Sequence, residues 1–157
     1  MDINIKVITV LAILGFICNV QGQQVKVTAP EDITPGETPL SVKCAPADPS
    51  KWKSVQTMKL YKRPDNMVSN SMQKPIVSFS FNEGKGSDVT WEDEELQERF
   101  GVDVNGDLAS DNPFLELTIK GPNTQVRDAG SYWCGLMGIY GDGQFLYITG
   151  DTHVDIA

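Results

Sequence analysis

With 13 basic residues against 21 acidic ones, the 157-residue chain has a formal net charge of −8. That balance argues against partners that need clustered Lys and Arg, namely nucleic acid and anionic membrane surfaces. A single histidine, His153, leaves no base for a nucleophile–base–orienter set. The chain therefore reads as non-enzymatic, and no motif in it asks for a metal or a cofactor.

The N-terminus reads as a processing signal. Lys6 precedes the apolar run 7–17, and Val20-Gln21-Gly22 offers short residues for cleavage after Gly22. The run is about half of the ~20 residues a membrane-crossing helix needs; a signal anchor is the alternative. Removing residues 1–22 leaves 135 residues, expected to form one domain over 23–157. No second apolar stretch of spanning length follows, so a secreted, extracellular location is expected. Cys18 leaves with the signal. Cys44 and Cys134, 90 residues apart, then form an even pair in an oxidising compartment and read as one disulfide.

Along the remaining chain, residues 25–28 alternate and stop at Pro30, as an edge strand does. Leu40, Val42 and Cys44 share one face of the next strand. Residues 45–50 form a loop with two prolines. Residues 56–63 form a further strand in which Met58 and Leu60 face inward while Lys59 and Tyr61 face outward. A polar stretch runs from Arg63 through Lys74, and residues 76–81 form a strand ended by residues 82–86. Residues 90–100 read as a short helix or helical turn. Thr90 and Asp93 act there as a capping box, with Leu96/Phe100 and Glu95/Arg99 at i, i+4 spacing. Residues 103–107 read as a turn. The calcium-loop alternative fails because its sixth and twelfth positions hold Leu108 and Phe114. Leu115, Leu117 and Ile119 line the inner face of a strand over 114–120. Residues 140–143 make a hairpin and 145–149 a last strand. Gly150-Asp151 reads as a bulge or break before the strand resumes near His153.

The stretch Asp128-Ala129-Gly130-Ser131-Tyr132-Trp133-Cys134 organises the rest. A tight turn leads into a strand whose period-2 alternation sends Tyr132 and Cys134 to the buried face and Trp133 to the other. The tyrosine can then reach back to bond the loop backbone. With Cys44, Arg99-Phe100 and the Leu115/Leu117/Ile119 alternation, this stretch resembles a variable-type immunoglobulin domain. The resemblance covers residues 25–156. It implies an all-β, two-sheet immunoglobulin-like sandwich with one inter-sheet disulfide, Cys44–Cys134, and an ion pair between Arg99 and Asp128. Such domains pack a strand C tryptophan on the disulfide. Trp52, eight residues after Cys44, is close for that role, and Leu60 is preferred. More loosely, the chain is similar to the N-terminal immunoglobulin part of mollusc fibrinogen-related immune lectins.

These resemblances imply a recognition module, with invertebrate innate immunity as its setting and an N-terminal fragment of an adhesion or receptor ectodomain as the alternative. The expected partner is a protein or a carbohydrate, and pairing of two copies through the sheet formed by strands 56–63 (C), 131–137 (F) and 145–149 (G) is also expected. Candidate binding residues are Trp133, Tyr61 and Met137 on the outer face of that sheet. The segment following strand 56–63, or Phe145 and Tyr147, could instead cover them. Trp52, Ile139 and Tyr140 are the candidates at the loop end.

Overall fold

The computed structural model describes residues 24–63 and 74–157. The expected signal, Cys18 and most of the polar stretch after Arg63 lie outside the described residues. Among the described residues ten strands build two sheets: β1 (Val25–Thr28), β2 (Asp32–Ile33), β3 (Leu40–Pro46), β4 (Trp52–Arg63), β5 (Val77–Asn82), β6 (Gly86–Trp91), β7 (Val102–Asp107), β8 (Phe114–Ile119), β9 (Gly130–Tyr140) and β10 (Phe145–Ile156). One short helix, α1 (Glu94–Glu98), follows β6. The first sheet has the order β1-β3-β8-β7 and the second β2-β10-β9-β4-β5-β6. The chain changes sheets at Ala29-Pro30, where proline ends the β1 ladder. It then pairs β2 parallel to the end of β10.

Strand alternation explains the core. In β3 the buried positions are Leu40, Val42, Cys44 and Pro46, and in β8 they are Leu115, Leu117 and Ile119. These meet Met58, Leu60, Tyr132, Cys134 and Leu136 from the second sheet, all but fully buried. β4 keeps its apolar residues inward only because its register slips twice, between Trp52 and Ser54 and between Val55 and Thr57. Val55 and Met58 are three apart and would otherwise face opposite ways; the extra residue between them rephases the strand.

The disulfide joins Cys44 to Cys134 across the two sheets, with Cα atoms 6.2 Å apart. Leu60 is the cross-strand partner of Cys134, and the Met58 sulfur lies 4.0 Å from that of Cys44. Leu60 thus occupies the place a core tryptophan would take, as expected. Trp52 lies at the far end of the same strand, opposite Tyr140.

Four expectations are corrected. Residues 103–107 are not a turn: β7 pairs with β8 from Val102↔Ile119 to Asp107↔Phe114, and Val102 and Val104 pack on the core. Thr90 caps no helix, because it belongs to β6. Asp93 is the N-cap, and its carboxylate accepts the Leu96 N–H at 2.9 Å. The helix stops at Glu98, since Arg99 turns extended to reach Asp128, and this leaves Phe100 exposed rather than packed beside Leu96. Finally, β10 runs through Gly150 without a slip. The glycine serves a close approach instead: a Cβ there would sit 2.5 Å from the Val25 carbonyl oxygen.

At the turn into β9 the Tyr132 hydroxyl donates to the Asp128 carbonyl at 2.6 Å. The Asp128 carboxylate accepts from Arg99 Nη2 at 2.7 Å and from the Gln125 N–H at 2.7 Å. Both ends of the ion pair are about nine-tenths buried or more, so it escapes the screening that makes exposed pairs worth only about 0–1 kcal/mol. Arg99→Ala would strand a buried carboxylate, and we expect a loss of about 3–5 kcal/mol in urea unfolding.

Closing a loop of 90 residues corresponds to about 4–5 kcal/mol of chain entropy. Replacing both cysteines by alanine should therefore lower the thermal midpoint by roughly 10 °C or more, and thiol titration of the native protein should find no free sulfhydryl.

Candidate binding face and loop end

The six-stranded sheet turns its outer side away from the core, and three strands build its centre. Trp133 of β9 lies between Tyr61 of β4 and Asp151 of β10. One row along, Gly135 lies between Lys59 and Thr149, and in the next Met137 lies between Thr57 and Tyr147. The alternation that buries Tyr132 and Cys134 therefore carries Trp133, Gly135 and Met137 together to the outer side.

Tyr61 and Trp133 stack face to face, with ring centroids 3.7 Å apart and planes within 2°. Tyr61 points outward as expected but is only 9% exposed, so it is a support for Trp133 rather than a contact surface. Trp133 and Met137 are half-buried. Tyr147 is 54% exposed and Phe145 57%, so these two extend the aromatic surface.

Tyr147 does not stand upright on the sheet. Its ring lies across Gly135, where a Cβ would meet the Tyr147 hydroxyl at 2.4 Å. From there its hydroxyl acts on the Tyr61 phenol. The face is thus a stacked pair flanked by a tyrosine lying flat in a gap that only glycine leaves open. Sequence reasoning treated Tyr147 as a cover, turned Lys59 outward without making it part of the site, read Asp151 as part of a bulge, and passed over Gly135. The one available signal was the isolated glycine inside a strand, which marks a close approach.

Burial pushes the Tyr61 phenol up to about 12, with the neighbouring Tyr147 hydroxyl adding to the effect. Tyr132 is pushed up further by burial and by the Asp128 charge, against a smaller opposing effect of Arg99. Both phenols stay neutral in the folded protein after an unfolded chain would ionise near pH 10. Their contribution to stability is complete below about pH 10 and is lost as pH rises toward the folded values. We expect phenolate absorbance to show Tyr61 and Tyr132 ionising late, above the pH at which an unfolded chain's tyrosines ionise. Tyr61→Phe should remove one late-ionising phenol and flatten the fall in stability above about pH 10.

At the loop end, Trp52, Ile139 and Tyr140 come together because β4 and β9 pair to their tips, Ser54 opposite Ile139 and Trp52 opposite Tyr140. The Trp52 and Tyr140 rings meet edge to face at 5.3 Å. Ile139 and Tyr140 are half-buried strand residues, not members of a presented loop as expected. The turn beyond them is closed by Gly143 N–H to the Tyr140 carbonyl, and Gly141 N–H bonds back to the Lys51 carbonyl.

A cleft of about 550 Å³ opens at the opposite end, beside α1. Its arginines are already paired, Arg99 with Asp128 and Arg127 with Glu95, while Lys62 donates to the Arg127 carbonyl. His153 sits on the β10 edge of the outer face between Ser131 Oγ at 2.9 Å and Asp155 Oδ1 at 3.1 Å. Among the described residues no cluster of His, Cys, Asp and Glu could hold a metal ion, and no helix is long and apolar enough to cross a membrane.

No protein-family model matches the sequence, nor does any curated protein sequence. Solved structures do match. One is murine CRIg, 14% identical, with a TM-score of 0.56 over 85% of this chain and 98% of that one. Another comes from a study of T cell specificity and activation by the bacterial superantigen toxic shock syndrome toxin-1. It is 16% identical, with a TM-score of 0.55 over 85% of this chain and 99% of that one. At such identities the likeness speaks for the fold, and the fold is an immunoglobulin-like sandwich of two sheets joined by Cys44–Cys134.

Proposed function

We propose that this chain is a secreted, non-enzymatic recognition domain of the variable immunoglobulin type that binds a protein partner through the outer face of its six-stranded sheet. The observation that carries the reading is the aromatic cluster at the centre of that face. Trp133 is held parallel to a buried Tyr61, with Tyr147 about half exposed beside it. Rigid stacked aromatic rings next to Met137 are the composition that dominates the centres of protein interfaces. Asp151 and Lys59 border the cluster and supply the polar rim such interfaces carry.

The variable type is supported by the extra strands β5 and β6 on the larger sheet. An extracellular location is supported by the disulfide and by the apolar N-terminal run. Innate immunity as the setting rests on the loose sequence resemblance to the immunoglobulin part of mollusc immune lectins.

Trp133→Ala tests the site. We expect it to weaken self-association in sedimentation velocity, or capture on an array of purified extracellular domains, by roughly tenfold or more. The thermal midpoint should stay within a few degrees of the parent. Unfolding of the variant would instead make the ring part of the core, and unchanged binding by a folded variant would remove the sheet face from the function.

A further inference from the structure

A groove of about 720 Å³ lies at the loop end, apart from the sheet face. It runs between the β3–β4 connection with the start of β4 and the segment 108–113 that joins β7 to β8. Its floor is apolar, since Val55 and Leu108 are 2% and 4% exposed. Trp52 and Phe81 line it as half-buried rings, and Asp48, Asp111 and Asn112 line it as polar residues.

Both walls are tied down. Asp48 Oδ1 accepts from Ser50 N–H at 3.2 Å and from Ser50 Oγ at 2.6 Å. On the facing segment, Leu108 N–H donates to Ser87 Oγ at 3.0 Å and Ala109 N–H to Asp107 Oδ1 at 2.8 Å. These bonds shape the groove without using Asp111 or Asn112, whose side chains are exposed beside it.

We infer that this groove is a binding site for a neutral saccharide. A pyranose ring has an apolar C–H face and an equatorial rim of hydroxyls, and the groove offers a counterpart to each. The Trp52 indole and the Phe81 ring present aromatic surface to the C–H face. The Asp111 carboxylate accepts from hydroxyls, while the Asn112 amide both donates and accepts. The volume falls within the ~300–1,000 Å³ of small-ligand sites, which leaves room for more than one sugar unit. Charge selects the class. Asp48 is paired with Lys51 at 3.8 Å, and the lining otherwise sets Asp111 against Lys53, so the groove has no net charge with which to hold a sulfated, phosphorylated or acidic sugar. This site is independent of the sheet face, and either can fail without the other.

Nuclear magnetic resonance titration of the isotope-labelled protein tests it. The probes are N-acetylglucosamine trisaccharide, mannotriose and lactose, with a sulfated heparin disaccharide and an uncharged tripeptide as comparisons. We expect at least one neutral sugar to shift the Trp52 indole N–H and the Asn112 side-chain amide saturably, leaving the Trp133 indole unmoved. The sulfated disaccharide should shift neither. The exposed pair Asp111→Ala and Asn112→Ala should weaken the interaction roughly tenfold or more with the fold intact. This route avoids Trp52→Ala, which removes a ring packed on the core. The inference is overturned if no neutral sugar moves the groove signals or if the sugars move Trp133 instead. It is equally overturned if the sulfated sugar or the peptide is the preferred ligand, or if the double variant binds undiminished.

Discussion

Asp128 is the residue through which distant parts of this chain are held. Its carbonyl takes the Tyr132 hydroxyl, while its carboxylate takes the Arg99 guanidinium and the Gln125 N–H. Three segments are pinned around one buried group: the end of α1, the turn before β9, and β9 itself. A carboxylate taken out of water is costly unless it is paired and hydrogen-bonded, so these contacts form together or not at all. They also end the helix, because Arg99 cannot be both a helical residue and the partner of Asp128.

The same contact sets the phase of β9. With Tyr132 anchored inward, Cys134 must follow it into the core and meet Cys44, and Trp133 must lie on the other side. The stability of the sandwich and the content of its outer face are consequences of one register. A slip of a single residue would put tryptophan beneath the sheet and cysteine on its surface. The aromatic cluster is thereby placed on the rigid centre of the six-stranded sheet, between β4 and β10, where an interface gains most from preorganisation.

The groove at the other end of β4 has a different origin. Two slips in the β4 register bring Val55 inward beside Leu108, and the half-buried Trp52 is left lining an opening between the sheets' ends. The face and the groove share a strand, but one is built from cross-strand neighbours and the other from two connections separated by more than fifty residues.

Much of the architecture was legible because it is written in local alternation. Cys44, Leu60, Leu115, Leu117, Ile119, Tyr132 and Cys134 all declare their side by a period of two, and the disulfide follows from an even pair of cysteines. The ion pair between Arg99 and Asp128 was legible through resemblance, but its victory over a longer helix was not, since local spacing favoured Glu95 as partner. β7 was hidden because its Asp, Asn and Gly residues are those of turns, and only pairing with β8 makes them a strand. The sequence by itself determined which residues go inward and that two sheets are stapled by one bond. Tertiary structure alone decided that Tyr61 is buried against Trp133, that Tyr147 lies flat over Gly135, and that Trp52, Asp111 and Asn112 line one groove. The reason is physical: alternation fixes the direction of a side chain, whereas its exposure and its neighbours depend on what distant strands and loops bring over it.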